Sequence, residues 1–163
     1  METDSKEDFL NMLEQYQGIL HKVNLLYFRN PADREDNFQE MVYQLWRSYP
    51  RLKNRESIGS YMYKVAINTS IVKLKKDRKN EHSNDIQEIA ADDDVEKQME
   101  EKENANMLIN AICELNEIDR AIMLLYLEEK SYEEIAGITG ISAGNAGVRI
   151  ARAKKALKEK LRF

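Results

Sequence analysis

Apolar residues in this chain recur every three or four positions and no strand-like alternation appears, so the regular structure this pattern supports is the amphipathic helix. From Lys6 to Phe28 the stripe runs through Phe9, Leu13, Tyr16, Leu20, Val23 and Tyr27. Asn30-Pro31 ends it and can open a second helix, since proline fits a first turn; there Phe38, Val42, Leu45 or Trp46, and Tyr49 repeat the spacing up to Pro50. Beyond the polar loop Arg51 to Glu56, Ser57 is a candidate N-cap. Ile58, Tyr61, Val65 and Val72 then mark one face of a helix running into Lys73-Leu74-Lys75-Lys76-Asp77-Arg78-Lys79.

The periodicity stops once. Asn80 to about Val95 has little aromatic content and holds Asp92-Asp93-Asp94, a composition that buries too little surface to offset the entropy of ordering. Helical spacing resumes at Leu108, Ile112 and Leu115. Asn116-Glu117-Ile118-Asp119 can cap a helix through Glu129, with Ile122, Leu125 and Tyr126 inward. Ser131-Tyr132-Glu133-Glu134 has the form of a capping box and starts a short helix through Ile138; Gly140 supplies a turn residue. Ser142 can cap the last helix, whose apolar positions are Ala146, Ile150, Ala153 and Leu157. The expectation is all-α: one helical domain over residues 1–80, an acidic flexible linker over 81–105, and a second domain over 106–163 containing a helix-turn-helix. A chain of 163 residues accommodates two domains of this size.

A net charge of −4 argues weakly against nucleic acid, but the charges are not evenly spread. Residues 1–80 carry 14 Lys and Arg against 11 Asp and Glu, residues 81–119 carry 2 against 13, and residues 120–163 carry 9 against 5. Both ends are basic and the acid is concentrated between them. A short capped helix, a glycine turn and a longer basic helix form the arrangement in which the second helix enters the DNA major groove. That helix and its tail hold Arg149, Arg152, Lys154, Lys155, Lys158, Lys160 and Arg162 against Glu159 alone, a surface that attracts phosphates. Ala143, Gly144, Asn145 and Arg149 lie near its start, where base contacts are made; Asn can pair with adenine and Arg with guanine. Gly144 and Gly147 each weaken a helix interior, which suggests close approach of another backbone or of DNA.

Other classes find less support. The longest apolar run, Ala121 to Leu127, is too short to cross a bilayer, and the acidic start Met-Glu-Thr-Asp-Ser-Lys-Glu-Asp is unlike a secretory signal, so a cytoplasmic location is expected. A single cysteine, Cys113, excludes an internal disulfide, and His21 and His82 stand far apart, so no metal-ligand cluster of recognisable spacing is present; no cofactor or small-molecule substrate is expected either.

The string Ser131-Tyr132-Glu133-Glu134-Ile135-Ala136, Gly140-Ile141-Ser142 and Val148-Arg149-Ile150-Ala151-Arg152-Ala153-Lys154-Lys155-Ala156-Leu157 resembles region four of the sigma-70 family, which recognises the upstream, minus-thirty-five promoter element and touches the polymerase flap. It departs from the commoner pattern at Asn145-Ala146-Gly147, where Thr-Val-Lys is usual, so base preference does not transfer. The run Asp33 to Trp46 and the run Tyr61-Met62-Tyr63-Lys64-Val65-Ala66-Ile67-Asn68 resemble region two, with Tyr61 where a tryptophan is usual. The order and the linker are those of the small extracytoplasmic-function group.

The resemblance implies a factor that binds core RNA polymerase and promoter DNA, and members of the group are often held by an anti-sigma partner, frequently a membrane protein. Polymerase docking falls on Asp33, Glu35, Asp36, Gln39, Glu40 and Trp46, the upstream element on Ser142, Gly144, Asn145, Arg149, Arg152, Lys154 and Lys155. The downstream element falls on Lys53, Asn54, Arg55, Ser57, Tyr61, Asn68, Lys73, Lys75, Lys76, Arg78 and Lys79, with the polar loop reading an extruded base and the lysines gripping phosphates. The acidic linker is expected to repel DNA in the free protein. Three other readings compete: a stand-alone helix-turn-helix regulator, which leaves Asp33 to Trp46 without a role; an enzyme holding a divalent metal on Asp33, Glu35, Asp36 and Glu40; and a protein-only adaptor, which leaves the basic patches unexplained.

Overall fold

The computed structural model describes residues 2–52, 57–80 and 96–161. Lys53, Asn54, Arg55, the run Asp92-Asp93-Asp94 and Arg162 lie outside the described residues. Every regular element among those described is helical: α1 Glu2–Tyr27, α2 Pro31–Ser48 with a 3-10 turn Tyr49–Arg51, α3 Ile58–Asn80, α4 Glu96–Cys113, α5 Glu117–Leu127, α6 Tyr132–Thr139 and α7 Ala143–Leu161. They fall into two compact units, Met1–Asp85 with α1 to α3 and Ile86–Phe163 with α4 to α7.

In the first unit α1, α2 and α3 all pack on one another. Asn30 caps α2 by accepting from the Ala32 amide at 2.8 Å, with Pro31 in the first turn. The core is apolar: Phe9, Met12, Leu20, Val23, Leu26 and Tyr27 from α1, Met41 and Leu45 from α2, Met62, Tyr63, Ala66, Ile67 and Ile71 from α3. At its centre sits one polar cluster. The Asn37 side-chain amide donates to Asn24 Oδ1 at 2.8 Å and to Ser70 Oγ at 2.9 Å, joining all three helices, while Asn24 donates to the Arg34 carbonyl at 2.9 Å.

The buried face of α3 differs from the one the apolar spacing predicts. Val72 is 67% exposed and Ile58, Tyr61 and Val65 are only half-buried, whereas Met62, Tyr63, Ala66, Ile67, Ser70 and Ile71 are buried. This helix has apolar residues on two faces, and α1 and α2 take the other one. On α2 the ambiguity between Leu45 and Trp46 resolves in favour of Leu45, which is fully buried; Trp46 remains 40% exposed, its ring edge-on to Phe9 at 5.0 Å.

In the second unit α7 packs on α4, α5 and α6. Asn116 caps α5, accepting from the Asp119 amide at 2.9 Å, and Ser131 with Glu134 form a reciprocal capping box on α6. Gly140 closes α6 at φ 81, and Ser142 Oγ accepts from the Asn145 amide at 3.1 Å to start α7. The core joins Ala111 and Ile112, Ala121, Ile122, Met123 and Leu125, Ile135 and Ile138, and all four expected positions of α7: Ala146, Ile150, Ala153 and Leu157. Helix α4 begins at Glu96, so residues 96–105, expected as linker, are helical. That stretch is rich in Glu, Lys, Gln and Met, which favour helix by propensity without the apolar stripe that pattern reading requires.

Candidate nucleic-acid and polymerase interfaces

The solvent face of α7 follows from the burial of its other side. At about 100° per residue, Ala146, Ile150, Ala153 and Leu157 cluster on one side, and Gly144, Asn145, Val148, Arg152 and Lys155 project opposite them. All five are exposed. A Cβ on Gly144 would meet nothing within 4 Å, leaving that backbone open to a ligand. Gly147 has another explanation: a Cβ there would stand 3.2 Å from Tyr132 Cε2, so the close approach is to a ring of α6. Val148, 48% exposed, is not among the contacts expected from the sequence, although its place three residues after Asn145 and four before Arg152 puts it in their row.

Two expected DNA-facing cations of α7 meet partners within their own unit, Arg149 half-buried and Lys154 exposed. Arg149 Nη1 donates to Asp119 Oδ1 on α5 at 3.0 Å, and the Lys154 ammonium lies 4.2 Å from the Tyr126 ring centroid, a cation–π contact. Lys160 reaches Glu114 at 2.6 Å.

On α3, Lys64, Asn68, Val72, Lys75, Lys76 and Lys79 are exposed, and with Tyr61 and Val65 they occupy about a third of the helix circumference. This is the face the sequence stripe took for core. Lysines interleaved with an aromatic and two valines give phosphate attraction and apolar platforms on one surface. Ser57 and Arg78 are exposed as well. Lys73 lies apart, half-buried, paired with Asp77 at 3.5 Å and 5.9 Å from the Phe28 ring. The Tyr61 hydroxyl hydrogen-bonds Ser48 and donates to the Leu45 carbonyl at 3.0 Å, tying α3 to the end of α2. Burial pushes this phenol above its ordinary value; the Ser48 bond lowers it part of the way back, and Tyr49 adds a smaller upward push.

On α2, Glu35, Asp36, Gln39 and Glu40 are exposed, Asp33 is half-buried in the first turn where the helix dipole favours it, and Glu40 accepts from Gln44 at 3.0 Å. Tyr43, 54% exposed with the Arg47 guanidinium 5.8 Å from its ring, and Trp46 continue the same face. An acidic strip ending in two aromatics suits a basic, amphipathic partner helix. Among the described residues no group of three or more His, Cys, Asp or Glu could hold a metal ion, and no helix is long and apolar enough to cross a membrane.

Comparison with known proteins agrees with this division. Residues 12–80 match the family Sigma-70 region 2 and residues 105–157 match Sigma-70, region 4. The RNA polymerase sigma factor SigV of Bacillus subtilis (strain 168) is 28% identical over 163 residues, 98% of this chain and 87% of that one. The ECF RNA polymerase sigma-E factor of Escherichia coli (strain K12) is 28% identical over 155 residues, 86% of this chain and 81% of that one. In fold, the chain resembles the sigma factor RpoE solved in complex with the anti-sigma factor NepR from Bartonella quintana, with a TM-score of 0.75 at 18% identity over 96% of this chain and 98% of the other.

Proposed function

This chain belongs to the sigma-70 family as an RNA polymerase sigma factor of the extracytoplasmic-function group, and from that premise we propose that it binds core RNA polymerase through α2 and directs it to promoters through α3 and α7. The observation that carries the assignment is the distribution of faces: each unit presents one basic helix, α3 or α7, and the first adds the acidic, aromatic strip of α2. A stand-alone regulator would need only the second unit.

The roles divide by chemistry. Asp36, Gln39, Glu40, Tyr43 and Trp46 meet the polymerase, with Asp33 and Glu35 at the strip's start. Gly144, Asn145, Val148 and Arg152 face the bases of the upstream element, while Lys155 and the lysines after it meet phosphates. At the downstream element Lys75, Lys76 and Lys79 grip the backbone, and Asn68, Tyr61 and the loop from Lys53 to Ser57 read the separated strand. Exchanging Lys53, Asn54 and Arg55 is expected to change preference at that element; an unchanged preference sinks the loop's role. The acidic stretch after α3 serves as the connector between the two units. The protein acts in the cytoplasm as an initiation factor that catalyses no reaction of its own, and an anti-sigma protein, such as the partner of the Bartonella quintana factor, is its expected regulator.

Run-off transcription from fragmented genomic DNA of the source organism, with its core polymerase and with or without this protein, tests the assignment. Discrete new transcripts sharing upstream motifs are expected. Their absence, alongside tight operator binding by the protein alone, would favour the regulator.

A further inference from the structure

We propose that Arg149 is a positioning residue: paired with Asp119, it sets the rotation of α7 about its axis and reads no base. Three observations converge. The first is the pair itself, 3.0 Å between Nη1 and Oδ1, with the side chains only 33% and 21% exposed. To offer its fork to a guanine, Arg149 would have to leave a partly shielded carboxylate without its cation.

The second is how firmly Asp119 is held. Its Oδ2 accepts from the Asn116 side-chain amide at 2.9 Å, and its backbone amide donates to Asn116 Oδ1 at 2.9 Å. The carboxylate therefore belongs to the N-terminal cap of α5, in the first turn, where the helix dipole also favours negative charge. Arg149 is attached to an anchored group, not to a free surface acid.

The third is the shape of the core beneath α7. Two of its four buried positions, Ala146 and Ala153, are alanines, which allow close approach but give little resistance to rotation. Arg149 and Lys160, three turns apart on one flank of α7, reach Asp119 in the first turn of α5 and Glu114 in the turn that precedes it. A turn of one residue, about 100°, would replace the row Asn145, Val148, Arg152 with a different one. The geometry assigns Arg149 to holding that row in place.

The inference rests on the promoter-reading role of α7 proposed above. The test uses holoenzyme made from the full chain and the source organism's core polymerase, on a template library randomised across the upstream element, at a temperature where circular dichroism shows every variant folded. Asp119→Asn and Arg149→Gln are each expected to lower transcription roughly three- to tenfold on all templates alike, with preferred bases unchanged. The double variant should fall no further than either single one, and Arg149→Lys should recover most of the loss. Selective loss of preference at one base pair in Arg149→Gln but not in Asp119→Asn overturns the proposal, as do losses that multiply in the double variant. A merely stabilising pair predicts full activity from the folded variants. If the wild type initiates on no template, the promoter-reading role fails by itself. A thermal shift of the double variant smaller than the sum of the two single shifts, in the full chain, would still establish the pair's coupling.

Discussion

Gly147 lies inside α7 with its backbone against the Tyr132 ring, and replacing it with alanine sets two effects of similar size against each other. Alanine in a helix interior is favoured over glycine by about 1 kcal/mol. The added Cβ would stand 3.2, 3.6 and 3.9 Å from Cε2, Cδ2 and Cζ of Tyr132, and the first distance is a few tenths of an ångström inside the ordinary range for carbon contacts. Tyr132 is 42% exposed, so its ring can tilt, at roughly 0.5–1.5 kcal/mol if it leaves its rotamer. Gly147→Ala should therefore change the stability of the second unit by no more than about 0.5 kcal/mol. In a Tyr132→Ala background the obstruction is gone and the full gain of about 1 kcal/mol should appear, worth about 4–8 °C in the transition of a unit this size. Differential scanning calorimetry on the four proteins of the cycle reads the difference. An equal gain in both backgrounds would refute the account, because it would mean the ring does not limit what stands at position 147.

Other outcomes follow from equally local features. Glu129 closes α5 at φ 62, with its amide bonded to the Tyr126 carbonyl and that of Lys130 to Leu125, so Glu129→Gly should raise stability by about 1 kcal/mol in urea unfolding. Asn37→Ala leaves Asn24 Oδ1 and Ser70 Oγ facing a void in the first unit and should cost roughly 2–4 kcal/mol, measured by the same method. Tyr61→Phe removes the hydroxyl's bonds to Ser48 and to the Leu45 carbonyl and should cost about 1–2 kcal/mol while leaving transcription intact, because the ring survives for stacking. The raised Tyr61 value means the folded state holds this proton more tightly; its contribution is present below the ordinary value of 10.0 and lost as pH rises through the higher folded value, and Tyr61→Phe should abolish that part of the alkaline decline in thermal midpoint. With α7 in the promoter-reading role proposed above, the exposed Val148 side chain would meet a thymine methyl, so replacing thymines of the upstream element singly with deoxyuridine should weaken transcription at one position for the wild type and at none for Val148→Ala.

The caps and the buried stripe from α6 to α7 could be read from sequence because their signals are local, whereas residues 96–105 of α4, expected as linker, carry no such signal. A capping box, a left-handed glycine and a serine cap span three or four residues each, and the buried stripe of α7 has no competing apolar face except the isolated Val148. Helix α3 failed the same treatment because Tyr61, Val65 and Val72 are as apolar as Met62, Ile67 and Ile71, and spacing alone cannot say which stripe faces α1 and α2. A helix with two apolar stripes has one that folding does not use, and on α3 that stripe carries four lysines among its neighbours.

The fate of Arg149 was hidden for the opposite reason. Its partner is thirty residues away, and no local rule separates an arginine that meets phosphate from one that meets an aspartate. A clue was present in Asp119 itself, an acid at the third position of a capped helix, where its amide and one oxygen are taken up by Asn116. The remaining oxygen is a fixed acceptor in a partly shielded place, and a neighbouring arginine is the side chain best suited to it. Counting basic residues along α7 therefore overstates the charge it can give to DNA. Arg149 and Lys160 are engaged by acids of the same unit and Lys154 by a tyrosine, which leaves Arg152, Lys155 and Lys158 as exposed cations for which no partner is observed among the described residues. Of the six cations of α7 among the described residues, three should therefore contribute to the salt dependence of binding; a slope reflecting all six would mean the internal pairs open on DNA.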